Sequence, residues 1–184
     1  DLQGFGRRKM DMTPDEIEAM VIYQIGALDG FARANGTHLT HVKAHGALYN
    51  VAAQDPAVAK AYARAVARYN PELAFVCLAT APMIIEEGHK AGLRVLREAF
   101  ADRAYNPDGS LVNRRLPGSL ISDPEKSVEQ VIRLVKQGEI VAHDGTILKL
   151  EADTVCVHGD GPTAPAIARA LKARLEEAGI TVAV

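Results

Sequence analysis

Four times in this chain a capping residue or a glycine is followed by proline and then by an apolar stripe at helical spacing: Thr13-Pro14, Asp55-Pro56, Asp123-Pro124 and Gly161-Pro162. Proline at the first helical position gives up an N–H that would have no partner there, so each pair marks a helix start. "TPDE" at 13–16 is a capping box, with Thr13 accepting from the backbone of Glu16 and the Glu16 carboxylate reaching back. Ile17, Met20, Val21, Leu28 and Phe31 keep helical spacing until Asn35-Gly36 ends the run. Val58, Tyr62, Val66 and Tyr69, then Val128, Ile132 and Val135, then Ile167, Leu171 and Leu175 stripe the other three. A shorter helix is expected over "PMIIEEGHKA".

Between the helices lie short runs of strand character at 39–43, 73–79, 93–98, 154–158 and 180–184, and a hairpin over "IVAHDGTILKL" with Asp144-Gly145 at its turn. Strands that alternate with helices pair in parallel through crossovers, which predicts an α/β layer or barrel. With no linker, low-complexity stretch or exact repeat, one domain over 1–184 is expected.

Composition excludes several classes of partner. Lys and Arg total 21 against 23 Asp and Glu, a formal charge of −2, so no basic surplus points to nucleic acid. The apolar runs fall short of the ~20 residues of a membrane helix, and a signal peptide is not expected. Cys77 and Cys156 each sit inside an apolar run, which suits a reducing compartment and predicts a cytoplasmic protein. Neither cysteine has zinc-site spacing.

The polar residues of interest fall where strands end. In "HVKAHGALYN", His41, Lys43 and His45 share one parity, with the next helix expected about ten residues on. "TVCVHGDGP" places His158 and Asp160 alike, and Glu98 stands at the end of a third strand, followed by Asp102 and Arg103. Carboxyl ends of parallel strands are where α/β folds assemble sites. Lys43, His45, Glu98, His158 and Asp160 are therefore the candidate catalytic residues. Tyr49, Asn50, Asp102, Arg103 and Arg114 are candidates for substrate binding. Gly159 and Gly161 permit positive φ and close backbone approach ahead of a helix expected from Pro162, a place for an anion. The loop lacks a Walker ending, and "GFGRR" at 4–8 is no dinucleotide fingerprint. His45, His158 and Asp160 could together form a metal set, but cysteine plays no part in it and no metal ligand is assigned.

"HVKAHGALYN", "EAFADRAYNPDGSLVNRRLPGSLI" and "DTVCVHGDGPTA", with the opening "DLQGFGRRKM", resemble the signature blocks of the LamB/YcsF family of 5-oxoprolinase A subunits. The resemblance implies a (β/α) barrel of the polysaccharide-deacetylase-like type. It also implies that the chain is the C-terminal two-thirds to three-quarters of the family domain, incomplete at its N-terminus, without the acid- and histidine-rich strand ends that members carry there. The implied activity is ATP-dependent opening of 5-oxo-L-proline (pyroglutamate) to L-glutamate, together with two other 5-oxoprolinase subunits. On that reading His158 and Asp160, or His45, handle water, Lys43 stabilises developing negative charge, and Glu98 contacts the ring N–H. Arg103 or the Gly159–Gly161 turn holds the substrate carboxylate. Two alternatives stand beside it: a metal-dependent carbohydrate deacetylase-like hydrolase, and a non-catalytic protein that binds the substrate or scaffolds its partners.

Overall fold

The computed structural model of the chain describes residues 1–182. It forms two compact units, Asp1–Arg97 and Glu98–Val184, whose boundary falls inside a strand. Among the described residues no helix is long and apolar enough to cross a membrane.

In the first unit, α1 (Pro14–Ala34) begins with the capping box that its sequence predicts: Thr13 Oγ1 accepts from Glu16 N, and the Glu16 carboxylate accepts from Thr13 N. Its inward face is Ile17, Val21 and Ile25, one residue per turn, while Leu28 and Phe31 of the helically spaced apolar set face solvent. The strand β1 (His41–Lys43) is followed by α2 (Gly46–Ala52), α3 (Pro56–Tyr69), β2 (Ala74–Leu78) and α4 (Pro82–Lys90). Asp55 caps α3 by accepting from Ala57 N and Val58 N. β1 and β2 run parallel, with His41 opposite Ala74 and Lys43 opposite Val76. α3 presents Ala59, Ala63 and Val66 inward, and its Tyr62 ring lies 4.7 Å from Phe75 of β2. The buried Glu18 carboxylate of α1 is held by Arg64 and Arg68 of α3.

The strand β3 (Val95–Phe100) carries the chain into the second unit, where α5 (Pro124–Gln137), β4 (Glu139–Val141), β5 (Ile147–Lys149), β6 (Thr154–Cys156) and α6 (Ala164–Glu177) follow. α5 starts at its Asp123 cap and stops at Gly138, which takes φ 65°. The predicted hairpin is present as antiparallel β4 and β5, with Gly145 at φ 93° in the turn. β3 and β6 are parallel, with Glu98 opposite Thr154 and Phe100 opposite Cys156. The core of this unit joins Val128 and Val131 of α5 to Ile167, Leu171 and Leu175 of α6 over Ala101. Each such side chain contributes roughly 1.5–3 kcal/mol by leaving water.

Three expectations are corrected. α2 starts at Gly46, not ten residues after the strand, so His45 is its capping position and lies off β1. α6 starts at Ala164, two residues past Pro162. Residues 180–182 form no strand, and 183–184 lie outside the described residues.

Candidate functional site

The register of β3 and β6 determines what meets beyond them. Phe100 lies opposite Cys156, and the pairing runs one step further, with Ala101 N donating to Cys156 O at 3.0 Å. Two residues past the matched pair, Asp102 therefore faces His158. The backbone N–H of His158 donates to Asp102 Oδ2 at 2.9 Å, and the ring Nδ1 lies 3.0 Å from Oδ1. A carboxylate only accepts, so Nδ1 carries the proton and Nε2 is the basic nitrogen. The Phe100 ring stacks on the imidazole, with centroids 5.3 Å apart and planes 11° from parallel. With one nitrogen bonded and one face covered, the ring has a fixed orientation.

Burial alone would raise the Asp102 carboxyl. The hydrogen bonds from the His158 ring and backbone outweigh it and hold the group below the ordinary carboxylate value. The Asp102 side chain is 10% exposed, whereas the His158 side chain keeps 26% of its surface open. An orienting acid is inside and the imidazole it orients keeps part of its surface open, an arrangement that suits general-base chemistry.

Arg103, buried at 6% exposure, turns Nη2 to Val112 O at 2.6 Å and Nε to Ser119 O at 3.3 Å. It braces the loop 112–119 from within. Arg114, on that loop, donates from Nη1 to Asp160 Oδ2 at 2.8 Å. Glu98 is buried inside β3 rather than at its end. Gly159 and Gly161 take no positive φ, and nothing lies within 4 Å of where a Cβ would stand on either. Their expected backbone freedom is not used here.

A separate group lies within the first unit. The His45 Nε2 donates to the Phe5 carbonyl at 2.9 Å, and the Phe5 ring meets the imidazole edge-on. Phe5 itself has φ 54°. Gly46 takes φ 61°, and a Cβ there would stand 2.4 Å from Gly6 O, which accepts from Ala47 N at 2.8 Å. Glycine is therefore required at 46 for the opening loop to reach α2. The Lys43 ammonium lies 5.6 Å from the centre of the buried Tyr49 ring, and Asn50 Nδ2 donates to Gly46 O at 2.9 Å. His45 borders a cavity of about 240 Å³ lined also by Met10, Met12, Leu48 and Val51.

The structure thus gathers Asp102, His158, Asp160 and Arg114 into linked pairs in one unit, and Lys43, His45, Tyr49 and Asn50 around α2 in the other. Sequence reasoning assigned Asp102 to substrate and missed it as the histidine's partner. Phe5 and Phe100 were missed altogether. The shared parity of Glu98, Phe100 and Asp102 was the available signal for the second. Among the described residues no three His, Cys, Asp or Glu side chains gather as a metal-binding group.

The LamB/YcsF family model matches residues 1–184. A protein of Chloroflexus aggregans, named as the A subunit of 5-oxoprolinase, is 57% identical over 182 residues, 99% of this chain and 72% of its own length. One of the same name from Methylococcus capsulatus is 51% identical over 183 residues, 100% of this chain and 70% of the relative. The crystal structure of the lactam utilization protein from Thermus thermophilus matches with a TM-score of 0.89 at 48% identity, over 99% of this chain and 72% of that one. The match runs the length of the chain and takes in both groups of polar residues: this chain belongs to the LamB/YcsF family.

Proposed function

We propose that the chain is part of an ATP-dependent 5-oxoprolinase that opens 5-oxo-L-proline to L-glutamate in the cytoplasm, working with two other subunits. The Asp102–His158 pair carries the reading on the structural side. The relatives, which bear the name of the 5-oxoprolinase A subunit, support it independently. The α/β fold, with its parallel strand pairs, suits a (β/α) barrel of the polysaccharide-deacetylase-like type.

A lactam carbonyl is a poor electrophile because the ring nitrogen donates into it. ATP, a substrate here, transfers a phosphoryl group to the carbonyl oxygen and leaves as ADP, which makes the carbon attackable. Water then adds to that carbon, the ring C–N bond breaks, and the nitrogen leaves with a proton. The acyl phosphate that results takes a second water to give the carboxylate and inorganic phosphate. The His158 Nε2 removes the proton from the attacking water, and the imidazolium so formed returns one to the departing nitrogen. Asp102 holds the ring in the required tautomer and stabilises its charged form. Phe100 keeps the imidazole from turning.

The experiment is reconstitution of the chain with its partner subunits, followed by measurement of glutamate released from 5-oxoproline. Release that requires both ATP and this chain is the expected result. Equal release with this chain left out would overturn the assignment.

A further inference from the structure

The Arg114 guanidinium is only half used. Nη1 donates to Asp160 Oδ2 at 2.8 Å, while Nη2 is shut off from solvent and has no acceptor within hydrogen-bond reach among the described residues. A buried cationic donor left without an acceptor is unfavourable, and native structures leave few of them without a ligand or a water to serve them. The neighbouring Arg103 shows the contrast, since two of its donors end on the loop carbonyls of Val112 and Ser119.

The position of this unused donor matters. Arg114 is tied to Asp160, and Asp160 is two residues from His158, so their Cα atoms lie at most about 7 Å apart. The loop 158–160 thus carries the base and, through Asp160, holds the Arg114 side chain that bears the unused donor. A planar guanidinium presents its N–H groups in a fork that fits a carboxylate, and an ion pair on one prong fixes the aim of the other.

Resting on the functional reading above, we infer that Arg114, held by Asp160, binds the carboxylate of the lactam substrate and so selects 5-oxoproline over lactams that lack one. Asp160 is on this account a positioning residue that orients the guanidinium, and it leaves proton transfer to His158. Anchoring the carboxylate fixes the ring beside the basic nitrogen.

The test uses the assembled enzyme with two γ-lactams, 5-oxoproline as substrate and 2-pyrrolidinone, which lacks the carboxylate, as competitive inhibitor. In Arg114→Met the KM for 5-oxoproline should rise roughly 10- to 100-fold, the range of a lost hydrogen bond to a charged group. The inhibition constant of 2-pyrrolidinone should stay within about twofold of wild type, as for a change that touches nothing it contacts. Arg114→Lys, which keeps the charge but loses the fork, should fall between. Equal weakening of both lactams, or no change in either, would overturn the inference while leaving the functional reading intact. A wild-type assembly that fails to turn over 5-oxoproline sinks that reading, and if it also binds neither lactam the inference falls with it.

Discussion

At the scale of single residues, the contact on which the account turns joins a buried acid to a half-buried base. Asp102 accepts both the backbone N–H and the ring N–H of His158, so one carboxylate places the loop and chooses the tautomer. Asp102→Asn should therefore act on chemistry more than on substrate binding. Its amide can donate to Nδ1, which moves the proton to Nε2 and removes the basic nitrogen. Turnover should fall by roughly two orders of magnitude or more, with KM nearly unchanged, in a comparison of steady-state kinetics at one pH. A proportional rise in KM with kcat preserved would argue for a binding role. Gly46 makes a separate prediction about stability. Its φ of 61° and the 2.4 Å approach of Gly6 O to a Cβ predict that Gly46→Ala loses about 1–3 kcal/mol in urea unfolding. An unchanged midpoint would show that the opening loop does not depend on that contact.

At the scale of elements, the helix starts were legible because capping is local chemistry. Thr13 and Glu16, Asp55, and Asp123 make the hydrogen bonds that their sequences imply. Asp123→Ala should lower stability by about 1 kcal/mol, the usual worth of such a cap, measured by thermal unfolding. The short helix α2 was not legible, since it starts at a glycine, lacks a side-chain cap and spans seven residues. What fixes its start is the Ala47 N–H donating to Gly6 O, a contact across about forty positions that no local window contains. Between α1 and α3, burial alone would raise the Glu18 carboxyl, but hydrogen bonds and charge from Arg68 and Arg64 leave it below its ordinary value of 4.5. A lowered folded value means that the stabilisation is full above about pH 4.5 and is lost as the pH falls through the folded value. Glu18→Gln should therefore flatten the acid limb of the stability profile, in denaturant midpoints measured from neutral pH downward. A limb as steep as wild type would assign acid sensitivity to other carboxylates.

At the scale of the whole molecule, parallel pairing was readable from the alternation of strands and helices, and so was the placing of Asp102 and His158 beyond strand ends, whereas Glu98, expected at a strand end, is buried inside β3. The pairing register was not readable, because a parallel strand carries no turn to count from. That is why Asp102 and His158 could each be picked out while their partnership could not. Gly159 and Gly161 show the opposite failure, a strong local pattern whose conformational freedom the fold leaves unused. The most direct trial of the account is ATP-dependent glutamate release from 5-oxoproline by the assembled enzyme carrying His158→Gln in this chain. The account predicts a rate lower by roughly two or more orders of magnitude, with the variant still folded and still assembled. A rate within about twofold of wild type would contradict it.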